Sequence, residues 1–459
     1  ALHAVGYVGR ISQDDLAEID REVYRGIRYI GRSGIEGMYE SRLRGQIGFE
    51  QVETTAHGRS VRVLERQEPV NGEDLILGLD IDLQIAARKA LGDYRGAIVA
   101  LDPASGDVLA FVSNPVYDPN LFVNGISQKS YSELRDDLDK PLLNRALNGR
   151  YAPGSTIKVL VGLAALERGF SPAHTEYCPG WYSLPGSSHR YRCWNHAGHG
   201  TMTLGTAIAQ SCDVYFYSLA NQLGINYLHD YMTNFGLGRQ TGIDLQNEPT
   251  ALVPSREWKE RARGEVWFPG ETVITGIGQG YMLATPIQLA VMAATLANKG
   301  TRVAPRLLTS VRGADHDSVR DLPIQIKQQV GLGNPESMVM ISEAMQEVMH
   351  GARGTARAVG ADASYRIAGK TGTAQVIGIA QNEEYDADKI DERLRDHALF
   401  IAYAPAENPK IAIVVIVENG GSGSGTAAPI ARTVIDRYLL GDPAQTIDKE
   451  VDTELAIVR

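Results

Sequence analysis

Long apolar runs are missing from this chain of 459 residues. Nowhere do roughly 18 consecutive apolar residues occur, the length a membrane-crossing helix needs, and no basic, apolar leader opens the sequence. These residues are therefore not expected to span a bilayer themselves. Basic charge is also in short supply: 45 Lys and Arg against 55 Asp and Glu leave a net charge of −10. With no basic run interleaved with aromatics, a nucleic-acid partner is excluded. Cysteine is rarer still, three residues in all, too few for a disulfide framework to replace a hydrophobic core. A chain this long with 43% hydrophobic residues can instead bury sizeable cores and divides into more than one domain.

Chemistry enters at Tyr151-Ala-Pro-Gly-Ser-Thr-Ile-Lys158. Pro153-Gly154 breaks the chain, and Thr156 to Arg168 then runs as an apolar-rich helical segment, so Ser155 opens a helix. Residues three apart share a helix face, which predicts the Lys158 ammonium within hydrogen-bond reach of the Ser155 hydroxyl. A serine is a weak nucleophile until a neighbour takes its proton. A lysine can do so only if burial or a second cation lowers its pKa, and Lys370 is the candidate second cation. Unpaired N–H groups and the positive dipole end at a helix start favour an oxyanion there. Alone, Ser-x-x-Lys arises by chance on the order of once in a chain of this size. Two further elements follow it in order: Ser211-Cys212-Asp213 and Lys370-Thr371-Gly372-Thr373. The last sits in Tyr365 to Val376, an alternating stretch that reads as a strand. Gly372 in mid-strand suggests close approach of another backbone. A strand edge beside the Thr371 and Thr373 hydroxyls and the Lys370 charge suits an extended peptide ending in a carboxylate.

The order Ser-x-x-Lys, Ser-x-Asn-like, Lys-Thr-Gly resembles that of the penicillin-binding proteins and serine β-lactamases. Val5-Gly-Tyr-Val-Gly-Arg10, Gly34-Ile-Glu-Gly-Met-Tyr-Glu40 and Leu43-Arg-Gly45 look like the pedestal of class B penicillin-binding proteins, and Asp80-Ile-Asp-Leu-Gln84 with Gly96 to Asp107 like the entry to their transpeptidase domain. Cys178-Pro-Gly-Trp181 and Asp213 give a likeness to the elongation-specific branch, penicillin-binding protein 2. Asp213 stands where the wider superfamily has Asn, and an ionised acid cannot donate an amide hydrogen bond to substrate. The resemblance implies catalytic roles for Ser155, Lys158, Ser211 and Lys370, and substrate binding by Asp213, Thr371, Gly372 and Thr373. It implies acylation of Ser155 by a peptidoglycan stem peptide ending in D-Ala-D-Ala, resolution by an amine, and covalent inhibition by β-lactams, with no cofactor needed for catalysis. A β-lactamase, a D,D-carboxypeptidase and a non-catalytic penicillin sensor are the alternatives. It further implies an anchor ahead of Ala1 in the bacterial inner membrane, a periplasmic catalytic domain, and partners in an elongation complex with a membrane-embedded glycan polymerase.

The expected fold is α+β: a partial, extended pedestal over 1–85 and a transpeptidase domain over 86–459, with an antiparallel sheet between helical layers. Ala97–Asp102 and Val108–Val112 read as strands joined by the turn at 103–107, and Ala398–Tyr403 and Lys410–Val417 as late strands. Leu204–Leu223, Pro286–Asn298 and Ala427–Leu440 carry helical patterns. Val376–Arg395 reads as a loop rimming the site, with Glu383, Glu384, Asp386 and Asp388 a solvated acidic run. Gly276-Ile-Gly-Gln-Gly280 lacks full dinucleotide-loop spacing and reads as a turn. Trp194, Trp258 and Trp267 read as packing or cleft-lining residues.

All three cysteines fall between 178 and 212, with His189, His196 and His199 among them. Cys178, Cys193, His199 and Cys212 would make a closed structural zinc site, with His196 the alternative imidazole. Because Cys212 lies between Ser211 and Asp213, such a metal would brace that motif without entering the chemistry. A Cys178–Cys193 disulfide with a spare thiol, or three buried thiols, are the other readings.

Overall fold

The computed structural model describes residues 2–314, 318–331, 333–378, 386 and 389–441. At its centre is a five-stranded antiparallel sheet of β1 (Gly96–Leu101), β2 (Val108–Asn114), β3 (Ala368–Ala374), β4 (His397–Ala404) and β5 (Ile411–Val417), in spatial order β3-β4-β5-β1-β2. Ile411-Ala-Ile-Val-Val-Ile-Val417 is continuously apolar and wholly buried, as a strand covered on both faces must be. α1 (Ile81–Leu91) opens with the Asp80 side chain accepting Leu83 N–H. It packs on β2 and on the last helix, and runs across residue 85. α2 (Lys158–Glu167), α3 (Leu204–Ala209) and α4 (Asp213–Leu223) pack against one another, and α2 continues directly from the turn that carries Ser155. α5 (Pro286–Ala297) is buried at every position and lies against β1, β4 and β5. α6 (Pro335–His350) packs on α3 and β3, and α7 (Ala428–Leu440) on α1, β4 and β5.

Two expectations change. Leu204–Leu223 is two helices rather than one, because the chain breaks at Gln210-Ser211-Cys212 with Ser211 at φ 54°. The expected helix from Thr156 begins with a 3₁₀ turn over Gly154–Ile157 before α2.

The pedestal part holds short helices and a hairpin, Phe49–Thr54 with Ser60–Gln67, exposed along both strands. It docks through Asp74–Leu77, which pairs with Leu308–Arg312. Tyr39 OH also donates to Asp244 Oδ2 at 2.9 Å, and Asp244 accepts the N–H groups of Leu307 and Leu308 at 2.6 and 2.8 Å. Among the described residues no helix is long and apolar enough to cross a membrane. Glu383, Glu384 and Asp388 of the acidic run lie outside the described residues.

Candidate active site

Gly154 sets the entry to the site. It sits at φ 54°, and a Cβ there would come 2.6 Å from Thr373 O, so the turn before the nucleophile lies flat on the edge of β3. Thr156 Oγ1 donates to Pro153 O at 2.7 Å, and Lys158 N–H closes the 3₁₀ turn on Ser155 O. Ser155 is half-buried at the mouth, while Lys158 is fully enclosed at its floor.

The Lys158 ammonium does not take the partner expected from the Ser155 spacing. It donates to Asp213 Oδ1 at 2.7 Å, Ser211 O at 2.9 Å and Ser211 Oγ at 3.3 Å. A buried ammonium requires a counter-charge, and α4 supplies one in its first residue. The other carboxylate oxygen, Asp213 Oδ2, accepts the Trp194 N–H at 2.8 Å. Both oxygens of Asp213 are thus engaged inside the protein, and the carboxylate is placed as the counter-ion of Lys158 rather than as a donor toward substrate. Burial pushes the Asp213 pKa up and the Lys158 charge pulls against it.

Lys370, on β3, is equally enclosed. It donates to Ser211 Oγ at 2.9 Å and Thr371 O at 3.0 Å. Burial first, and the Lys158 charge second, drive its pKa well below the ordinary lysine value. Ser211 Oγ therefore sits between two lysines in a left-handed backbone conformation that non-glycine residues rarely adopt. Gly372 is where β3 meets the Ser155 turn: a Cβ there would lie 2.8 Å from Thr156 Cγ2 and 3.2 Å from Pro153 O. Thr371 Oγ1 bonds Thr355 Oγ1 at 3.0 Å, and Thr373 is exposed on the strand edge.

Comparison with known proteins agrees with this geometry. Residues 96–436 match the penicillin binding protein transpeptidase domain, and residues 1–77 the penicillin-binding protein dimerisation domain. The peptidoglycan D,D-transpeptidase MrdA of Acinetobacter baumannii is 46% identical over 95% of this chain. The chain spans 64% of that relative's length. The crystal structure of Pseudomonas aeruginosa PBP2 in complex with WCK 5153 superposes with a TM-score of 0.85 at 48% identity, covering 96% of this chain and 89% of that one. Helicobacter pylori PBP2, in complex with MreC, gives 0.86 at 33% identity over 96% and 78%.

The chain belongs to the class B penicillin-binding protein 2 family of peptidoglycan D,D-transpeptidases.

In this penicillin-binding protein 2 relative, the three cysteines are free thiols, so the disulfide reading does not describe them. Cys178, Cys193, His199 and Cys212 bring their ligand atoms within 4.8 Å of one another. His199 Nδ1 lies 3.6 Å from Cys178 Sγ and 3.5 Å from Cys193 Sγ, so His199 rather than His196 is the imidazole of the cluster. A hydrogen bond from the Cys212 thiol draws the Cys193 pKa down, while that same pairing raises Cys212 and burial raises Cys178. Cys212 is the N-cap residue of α4, so the cluster sits directly behind the Ser211–Asp213 turn.

Three further residues contribute, of which the sequence offers Trp194 only as a packing or cleft-lining residue. Trp194, 60% exposed, donates its indole N–H to Gln210 O and Ser211 O, both at 3.1 Å, as well as its backbone N–H to Asp213. Thr355 carried no sequence signal. Gln279, in the turn at Gly276–Gly280, donates its Nε2–H to Thr373 O at 3.0 Å. Its signal was Gly278, which marks a close backbone approach.

Proposed function

We propose that this chain cross-links peptidoglycan by acylating Ser155 with a stem peptide ending in D-Ala-D-Ala, as part of cell elongation. The observation that carries the reading is that two buried lysines, 158 and 370, both donate to Ser211 Oγ beside the turn that presents Ser155. Lys158 is paired to Asp213 and Lys370 is pushed toward its neutral form. Lys158 is thus the favoured site of the shared proton and Lys370 the disfavoured one; uphill transfer of that proton through Ser211 to the neutral Lys370 amine leaves Lys158 free to accept the proton of Ser155. The alkoxide attacks the carbonyl of the penultimate D-Ala. Backbone N–H groups of Ser155 and Thr373 receive the oxyanion, and Thr371 and Thr373 hold the terminal carboxylate. As the C–N bond breaks, the proton taken from Ser155 passes through Ser211 to the departing amine, and free D-Ala leaves. An amine of a neighbouring stem then attacks the ester and restores Ser155. A β-lactam acylates the same serine but keeps its amine tethered in the site.

The work belongs at the periplasmic face of the bacterial inner membrane, with the pedestal over 1–85, the transpeptidase over 86–459, and partners including a membrane-embedded glycan polymerase. The H. pylori relative's complex with MreC supports an elongation-complex setting. For Cys178, Cys193, His199 and Cys212, three sulfurs and one imidazole nitrogen suit a closed tetrahedral zinc site. His199 Nε2 is buried without a partner while Nδ1 faces two of the sulfurs, the orientation a ligating Nδ1 needs. Zinc there would supply bracing of the Ser211–Asp213 turn and no chemistry. Elemental analysis of protein purified without added zinc should give one zinc per chain, falling below a tenth in Cys178→Ser with Cys193→Ser.

Intact mass after incubation with a penicillin tests the catalytic reading. A stable one-to-one adduct, absent in Ser155→Ala, is expected. Antibiotic destruction without an adduct would indicate a β-lactamase, and failure to cross-link stem peptides with an amine acceptor would indicate a sensor or carboxypeptidase.

A further inference from the structure

β3 is the edge strand of its sheet, and an extended peptide added to that edge needs its outward N–H and C=O groups. On one strand residue these two groups point the same way, so the outward N–H of Thr373, read above as an oxyanion donor, comes with the outward Thr373 C=O. One of that carbonyl's two acceptor sites is already taken. Gln279 Nε2–H donates to it at 3.0 Å.

The backbone that carries this side chain is built into the fold, and the hydrogen bond itself lies at the exposed mouth of the site. Gly278, at φ 73°, is pressed onto the nucleophile turn: a Cβ on it would lie 2.2 Å from Gly154 O, and Gly154 N–H donates to Gly278 O at 2.9 Å. Gln279 N–H is tied to Ile274 O at 3.2 Å. A few residues on, Tyr151 and Ala284 exchange both backbone hydrogen bonds, at 2.9 and 2.8 Å. The Gln279 segment, the Ser155 turn and β3 therefore form one clamped seam. Side-chain amide and substrate amide carry the same donor, a planar N–H.

We propose that Gln279 is a specificity-determining residue, its carboxamide holding the place of a substrate amide on the edge of β3. It takes one of the two acceptor sites of the Thr373 carbonyl in the free enzyme and competes there with any ligand whose amide N–H, one bond from the reacting ring or residue, docks on the same lone pair. Ligands without that N–H do not compete with it. The proposal rests on Ser155 acylation.

The experiment compares acylation efficiency at Ser155 for a penicillin, which bears an acylamino N–H, and a carbapenem, whose hydroxyethyl group has none. The parent, Gln279→Ala and Gln279→Glu are measured by stopped-flow or intact mass. A neutral hydrogen bond removed from competition raises penicillin acylation of Gln279→Ala roughly three- to tenfold, with the carbapenem within twofold. Gln279→Glu, close in shape and unable to donate when ionised, shifts the ratio in the same direction. Because the ratio is taken within one preparation, partial misfolding cancels. Equal changes for both drugs, no change in the ratio, or a fall for the penicillin alone would overturn the proposal. Absence of adduct in the parent with both drugs would instead overturn the acyl-serine reading itself.

Discussion

At the scale of single residues, the site turns on how two enclosed lysines share one hydroxyl. Lys158 has a carboxylate at 2.7 Å and Lys370 has none within its hydrogen bonds, so the second lysine is the one that cannot hold its proton easily. Native Lys370 releases its proton at lower pH than unfolded Lys370. Between those two values the unfolded chain binds more protons, so this group's burial costs stability at neutral pH, and the cost fades as pH rises toward the ordinary lysine value. The same shift bears on rate: acylation should fall as pH is lowered through the depressed pKa of Lys370. Lys370→Arg fixes a charge at every working pH and cannot become neutral. It should lose roughly 10²- to 10⁴-fold in acylation, measured against a penicillin from pH 5 to 9, together with the acid limb of the parent's profile.

At the scale of elements, the break between α3 and α4 delivers Ser211, Cys212 and Asp213 in three directions. A continuous helix would spread them by about 100° each on one cylinder. Instead the left-handed Ser211 turns its hydroxyl to the lysines, Cys212 at the N-cap position of α4 sends its sulfur into the Cys178–Cys193–His199 cluster, and Asp213 opens that helix toward Lys158. Comparing Ser211→Gly with Ser211→Ala separates backbone from hydroxyl, since both lose the Oγ. Glycine should be the more stable of the two by about 1 kcal/mol, the reverse of their order inside a helix, as read from denaturant midpoints, and both should acylate slowly. The strands and long helices were legible because their apolar patterns are strong: Ile411–Val417, Pro286–Ala297 and Ala428–Leu440 fall within about a residue of their expected ends. The break at Ser211 was not, because Leu204 to Leu223 keeps an apolar pattern through it and no glycine or proline marks the turn. The three motifs were legible as chemistry, but hydrogen-bond partners depend on contacts far apart in sequence. Nothing local says that Lys158 faces Asp213, fifty-five positions on, or that Gln279 reaches Thr373.

At the scale of the whole molecule, the pedestal part and the catalytic part meet at a carboxylate. Asp244 accepts two backbone N–H groups from the catalytic part and the Tyr39 hydroxyl from the pedestal. Half-buried Tyr39 has its pKa pushed above the ordinary tyrosine range, by burial first and by the Asp244 charge second, so the phenol stays a donor at every physiological pH. The two sides of this joint separate by substitution. Tyr39→Phe removes one hydrogen bond and leaves Asp244 with its two backbone donors, so stability should fall by about 1–2 kcal/mol. Asp244→Ala strands the N–H groups of Leu307 and Leu308 next to the strand that receives Asp74–Leu77, and each unsatisfied buried donor costs about 1–3 kcal/mol. Its loss should therefore exceed that of Tyr39→Phe by at least about 1 kcal/mol, and it should loosen the pairing of Leu308–Arg312 with Asp74–Leu77. Hydrogen exchange at Leu75, Ile76 and Leu77 reads that pairing directly: faster exchange in Asp244→Ala, near-parent exchange in Tyr39→Phe, and unchanged Ser155 acylation in Tyr39→Phe are expected. Equal exchange in the two variants would mean that Asp244 joins the parts only through the tyrosine.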